Sequence, residues 1–511
     1  MGDPSLLRRP ELPGQDQQEG MAMSTEPQSR SSMQAEPLVL PPAPEGLLER
    51  RPSLLTMLKF FGPGAVIASL TIGSGESILA SREGAVFGFA VLWTLIAAVV
   101  SKAAIVYASN RYITLTGEHP MTRFARVFPG PRGWFAALLT VICFLSFPGW
   151  SSGVSRALGD YLSYLGAGPA LPWAIGLLAL AATISWLGGY SVLENVQIAI
   201  AGAMVLLVLI AVFVAQPDWL GVLQGLVPQQ LEYEGFVSSA YPDIADIPIW
   251  VELAVFLGGI GGGMYDYIGY TGMLREKRWG MLGHAEIDQL ADRYAGDGAT
   301  TTLPLDTSDE NLRQARGWVR APLFDVLAAF VALTIIGAAF IINGSTILGA
   351  DETVPEGNAV LNYQSEFLGV VAPIFEYFYI AAIIMVLFGT IYAVWEAYSW
   401  TAYESLAALS PKVRHRGQRA IRPWVYGYTF VGAVAMLLTG ADFVTLITYA
   451  SIVGGILACA IYGFGILYID RVNLPPALRM SRLLSTLVGI GSLFLLVAGG
   501  AALLNQVGVL G

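Results

Sequence analysis

Charge is scarce in this sequence. Asp, Glu, Lys and Arg together make up 13% of 511 residues, roughly half the share of an average soluble domain. With 55% hydrophobic residues beside it, that scarcity excludes a disordered chain and most soluble folds. Cysteine is scarcer still: Cys143 and Cys459 each sit inside an apolar run, so there is no disulfide framework, and no CxxC or Cys/His cluster exists to hold zinc. Histidine is limited to His119, His284 and His415, all in the polar links, which leaves no imidazole inside an apolar run to bind metal or pass a proton. The formal net charge of −10 offers no basic face for phosphates, and nucleic acid is excluded as a partner.

What the sequence has instead is a series of long apolar runs. Residues 1–50 are rich in Pro, Gln, Glu, Ser and Arg and read as a disordered N-terminal tail, unable to bury a core. No apolar stretch follows Arg8 and Arg9, so no signal peptide is expected there. From Leu54 onward, runs of about 20 residues, the length that crosses a bilayer, alternate with short polar links. Eleven spans are expected, at 58–81, 85–110, 134–164, 170–187, 191–215, 250–273, 321–345, 371–408, 423–440, 442–469 and 483–505. The chain thus reads as a tail over 1–50 and an all-α polytopic membrane domain over 51–511.

Sidedness follows from the basic residues. No Lys or Arg lies between Arg156 and Arg275 or between Arg320 and Lys412, and the loops in those two gaps carry Asp218, Glu232, Glu234, Asp243, Asp246, Asp351, Glu352 and Glu356. The opposite links carry arginine and lysine clusters such as Arg123, Arg126 and Arg132. The acidic loops are therefore expected outside a cell membrane, with the N-terminus cytosolic and the C-terminus external.

Two spans are interrupted at corresponding places. Span one contains Gly62-Pro63-Gly64 and then Ile72-Gly73-Ser74-Gly75-Glu76; span six, five spans later, contains Gly258 to Met264-Tyr265-Asp266 with five glycines. Glycine at mid-membrane exposes backbone that lipid cannot satisfy, so each break must face protein or water. Glycine-interrupted segments in matching positions of two halves point to a midplane site in an inverted-repeat transporter. Each break also carries an acid, Glu76 and Asp266, and an intramembrane acid costs at least about 2.5 kcal/mol unless a partner or pathway offsets it. A buried pairing of Glu76 with Arg82, and a neutral hydrogen-bonded Asp266, are the structural alternatives. Among the other apolar-span acids, Asp325, one turn beyond Arg320, and Glu404, near the cytosolic end of its span, are expected as gate or interface salt-bridge members. Glu376 and Glu396 have no basic residue in their own span and are candidates for an ion or proton route.

At these two segments the sequence resembles the Nramp family of divalent-metal transporters. Gly62-Pro63, Gly84-Ala85, Phe87-Gly88 and Leu92-Trp93 match the family's G-P start and its G-A-Q-F-G-x-x-L-L-W end. The family's D-P-G-N is replaced by Gly73-Ser74-Gly75-Glu76, and its A-T-V-M-P-H by Gly261-Gly262-Gly263-Met264-Tyr265-Asp266. The resemblance implies a LeuT-type fold: two inverted five-helix repeats, here about 58–215 and 250–469, and an eleventh helix at about 483–505. It also implies a substrate site. Carried over position by position, the family's metal-binding Asp becomes Gly73, its Asn becomes Glu76, its thioether persists as Met264, a carbonyl comes from Gly261, and its proton-linked His becomes Asp266. The expected ligands are thus Glu76, Met264 and Asp266 with backbone around Gly73, Gly75 and Gly261. Two carboxylates and carbonyls suit Mg, Ca or Mn, whereas the thioether favours a softer transition metal.

The expectation is a secondary-active transporter working by alternating access on a divalent cation as substrate, with protons carried by carboxylates. It would act as a monomer and without a cofactor. The rival within the same scaffold is a transporter of a non-metal solute. An enzyme is not expected: Ser74 stands in I-G-S-G with no intramembrane base, and the glycine run lacks the G-K-[ST] that holds a phosphate.

Overall fold

Hydrocarbon cannot hydrogen-bond to backbone, so runs this apolar close their hydrogen bonds internally, as helices do. The computed structural model describes residues 37–64, 70, 72–187, 191–284, 287, 302–355, 359, 361–506 and 508. Among the described residues, helices fall on each of the eleven expected spans, in order. In α1, a π-helical segment, Ile72–Leu79, continues as Ala80–Phe87. Next come α2 (Leu92–Thr116), α3 (Trp134–Tyr164), α4 (Ala170–Leu187) and α5 (Ser191–Val214). Helix α6 is split into α6a (Ile249–Gly259) and α6b (Met264–Lys277). It is followed by α7 (Arg320–Asn343), α8 (Ile374–Leu409) and α9 (Gln418–Leu437). Helix α10 runs through Phe443–Tyr449, a π-helical Ala450–Leu457 and Ala458–Asn473, and α11 is Arg482–Gln506. Among the described residues, seven continuous helical stretches are long and apolar enough to cross a membrane unaided. One of them, Gly75–Thr116, contains most of α1 and all of α2.

The corner between α1 and α2 departs from the spans expected. It lies at the 3-10 turn Gly88–Val91, where Gly88 takes φ 60° and ψ −152°, and not at residues 82–84. The charged pair Arg82-Glu83 resembles a link in sequence but lies buried inside α1. Arg82 can stay there because its Nε donates to Glu252 of α6a at 2.7 Å and its guanidinium also reaches the Pro355 carbonyl at 2.5 Å.

The break expected at Ile72–Glu76 is π-helical rather than unwound, and this stretch of α1 packs against the split α6 with almost no side chain between them. A Cβ at Gly75 would come within 2.5 Å of the Gly259 carbonyl oxygen, and one at Gly455 of α10 within 2.6 Å of the Gly258 carbonyl oxygen. Such close approach is what small residues permit where lipid provides no hydrophobic drive for helix association.

The unfolded tail expected over 1–50 is corrected in its last part; residues 1–36 lie outside the described residues. Leu38 bridges to Leu305, with its N–H donating to Pro304 O at 2.7 Å and its carbonyl accepting from Asp306 N–H at 2.9 Å. Leu40 N–H donates to Asn311 Oδ1 at 2.8 Å, Ala43 N–H to Gln314 Oε1 at 2.7 Å, and Trp318 Nε1 to Pro41 O at 2.7 Å. Leu38, Leu40 and Leu47 are buried by this strap. Composition averaged over fifty residues hides three leucines that a neighbouring helix, Asp309–Trp318, can cover.

Candidate functional site

Four residues, Ile260 to Gly263, separate α6a from α6b, and the turn needs left-handed backbone: φ is 67° at Gly261 and 79° at Gly262, a region open to glycine at little cost. Breaking a helix strands the last carbonyls of its first half and the first N–H groups of its second. Here the chain's own side chains take them up. Lys102 of α2 aims its ammonium into the break, donating to Leu257 O at 2.7 Å, Gly258 O at 3.2 Å, Ile260 O at 2.6 Å and Gly262 O at 2.7 Å. Tyr267 donates its hydroxyl to Gly261 O at 2.7 Å. Glu76 Oε1 accepts from Gly261 N–H at 2.8 Å, and Asp266 Oδ2 accepts from Gly263 N–H at 2.8 Å, capping α6b. Lys102, Glu76, Asp266 and Tyr267 are all buried.

Beside the break lies a cavity of about 20 Å³, bordered by Trp150, Gly262, Tyr265, Asp266, Thr390 and Tyr398. That is room for one water or one bare ion. Asp266 faces it; Glu76 and Met264 do not border it. Met264 is buried at the first turn of α6b. The Gly73 carbonyl accepts from Ser77 Oγ at 2.9 Å, and a Cβ at Gly73 would run into Thr390. Gly73 and Gly75 thus serve close packing of α1 on α8 and α6a. Among the described residues no three His, Cys, Asp or Glu side chains are grouped as a metal site.

The other intramembrane acids are distributed differently from expectation. Arg82 pairs with Glu252, at 2.7 Å, rather than with Glu76. Asp325 forms no gate pair with Arg320. Its carboxylate accepts from Gly62 N–H at 2.8 Å, Gly64 N–H at 2.9 Å and Tyr270 OH at 2.6 Å, tying the start of span one to α6b and α7. Arg320 turns instead to the carbonyls of Leu47 and Glu49 in the strap. Glu404 does pair with Arg275, at 2.6 Å. Glu396 meets Arg422 of α9 at 3.2 Å, and Glu376 lies half-buried in the first turn of α8. Neither of these two borders the cavity.

Lys102 is the functional-site residue that the pattern of breaks and acids did not single out. The signal was present: a lysine in the middle of an apolar span is by default a functional candidate with a partner to be found.

Residues 64–241 match the family described as Natural resistance-associated macrophage protein-like. No curated protein sequence matches the chain significantly. Among solved structures, a histidine-to-alanine variant of the manganese transporter of Eremococcus coleocola superposes with a TM-score of 0.59 at 12% identity, over 90% of this chain and 89% of that one. The same transporter bound to an aromatic bis-isothiourea compound gives a TM-score of 0.55 at 12% identity, over 89% of this chain and 91% of that one. At such identity the likeness is one of fold: two five-helix repeats with interrupted first and sixth helices, and an eleventh helix. The chain is thus an integral membrane protein of LeuT-type fold whose residues 64–241 are similar to the Nramp-like family.

Proposed function

We propose that the protein is a secondary-active transporter carrying a divalent metal cation, Mn or Mg in type, across the plasma membrane by alternating access. One observation carries the reading: carboxylates from α1 and α6b, Glu76 and Asp266, are both bonded to N–H groups within three residues of the same helix break. Those hydrogen bonds are weak beside metal coordination. A cation that displaced the two amides would receive two carboxylate oxygens, the hard donors that Mg and Mn accept, while Lys102 and Tyr267 keep the carbonyls of the break. The family match over 64–241 and the fold shared with a manganese transporter support the same class. Met264 would add its thioether as α6b shifts, and Asp266 would exchange a proton or release the ion. In this reading the N-terminus is cytosolic, the C-terminus external and the chain a monomer without catalytic chemistry.

A second reading, a non-metal solute, is favoured by two features. Lys102 offsets one of the two negative charges, and Trp150, Tyr265 and Tyr398 bring aromatic faces to the cavity beside Asp266, a setting that suits an organic monocation. Calorimetry of the purified protein with Mg, Ca, Mn and Zn, beside Glu76→Gln, Asp266→Asn and Met264→Ala, separates the two. Mn or Mg binding that needs both carboxylates supports the metal reading. Metal binding absent at millimolar concentration overturns it in favour of the solute.

A further inference from the structure

Lys102 does more than fill space. Its three N–H protons face four backbone carbonyls, at 2.6 to 3.2 Å, from the C-terminal end of α6a and the unwound residues after it. Unwound carbonyls and half-helix C-terminal ends are the groups that hold a coupling monovalent cation in transporters with broken helices, and rings of carbonyls replace a monovalent ion's hydration shell in selective pores. The partial negative charge at the end of α6a adds to that attraction. The four carbonyls are therefore a cation site by their chemistry, and its occupant is covalently part of the chain. A neutral amine would turn a lone pair towards this ring of oxygens, so the contacts are those of the ammonium form.

We propose that Lys102 is a tethered cation: its ammonium stands permanently in a monovalent-cation site made by the carbonyls of Leu257, Gly258, Ile260 and Gly262. The broken helix accordingly needs no free Na⁺ or K⁺ to hold its shape. Removing the side chain uncovers a site that a small monovalent cation can enter. The lysine stem runs beside Gly261, where a Cβ would lie 3.8 Å from Lys102 Cδ and 3.3 Å from the Phe330 ring, so truncation of the stem opens space next to the four oxygens.

The test measures folding rather than transport. The detergent-purified full chain, Lys102→Ala and Lys102→Met are melted in choline chloride, with ammonium, sodium or potassium chloride replacing choline at constant ionic strength. The wild type is expected to melt at the same temperature in every salt. Lys102→Ala melts several degrees lower in choline and recovers saturably with ammonium or one of the alkali cations. Lys102→Met, which refills the space without a charge, is not recovered. If Lys102→Ala yields no folded protein in choline, the yield of monodisperse protein across the same salts is the readout, and recovery in ammonium counts as support. The proposal is overturned if Lys102→Ala is as stable as wild type in choline, if no salt restores stability or yield, or if wild type responds to the cations as the variant does.

Discussion

Gly261 donates its backbone N–H to Glu76 Oε1 at 2.8 Å, so a carboxylate from one interrupted helix is bonded into the break of the other. Movement of α1 relative to α6 must break or carry this bond. In the proposed function the same carboxylate binds the cation, and occupancy would then be linked to the relation between the two helices.

Glu76→Gln separates charge from shape. The amide oxygen can still accept from Gly261 N–H, so the melting temperature should stay close to wild type. Cation affinity should fall at least tenfold, about 1.4 kcal/mol, and uptake into proteoliposomes should be lost. Calorimetry beside thermal melting checks both halves; undiminished affinity would remove Glu76 from the site.

The two left-handed glycines should differ in their tolerance of alanine. Each substitution incurs about 1–2 kcal/mol from backbone conformation alone. At Gly262 (φ 79°) the new Cβ would also stand 2.9 Å from Asp266 Oδ2, displacing the carboxylate that caps α6b. Gly262→Ala is expected to lose both stability and transport, whereas Gly261→Ala, whose nearest neighbour is the Phe330 ring at 3.3 Å, loses less of each. Melting curves and uptake rates of the two variants, measured side by side, decide.

His119 makes stability depend on pH in a defined window. It caps the short helix Pro120–Val127: its Nδ1 accepts from Met121 N–H at 3.1 Å, and its Nε2 bonds to Ile268 O at 3.1 Å. Burial pushes its pKa down to about 4, with the Arg275 charge acting in the same direction and Glu404 against it. The unfolded imidazole titrates near 6.5. The unfolded chain therefore binds the proton first, and stability present above about pH 6.5 is lost as pH falls towards 4. His119→Asn keeps a capping oxygen without the titration, and its melting temperature should fall less steeply than wild type across that interval. Parallel slopes would refute the assignment.

The strap at residues 38–49 should be released by a single substitution in the helix that holds it. Asn311, buried, accepts from Leu40 N–H through Oδ1 and donates through Nδ2 to Asp306 O at 2.6 Å. Asn311→Leu leaves those backbone groups unpaired, at roughly 1–3 kcal/mol for a buried polar group. Tryptic cleavage after Arg50 should then be several-fold faster than in wild type, followed by mass spectrometry of the released N-terminal peptide.

What the sequence determined by itself is the membrane scaffold. Run length and charge spacing place eleven helices, and the glycine cluster between Leu257 and Met264 places the break in α6, because in hydrocarbon the backbone must satisfy itself locally or find a protein partner. The presence of an acid at each interruption was equally legible, since Glu76 and Asp266 stand out against their apolar neighbours. What only the tertiary structure decided is which charge meets which partner. Lys102 reaches carbonyls 155 to 160 positions away, and Arg82 finds Glu252 at a separation of 170 and so stays inside a helix where a link was expected. Asp325 caps the start of span one from 261 residues away, and the strap at Leu38 lies on Pro304. Periodicity and composition describe the surroundings a residue creates along its own helix. The partner of a buried charge is set by which helices pack against each other and how far a side chain reaches across them, and that relation is fixed only when the bundle has closed.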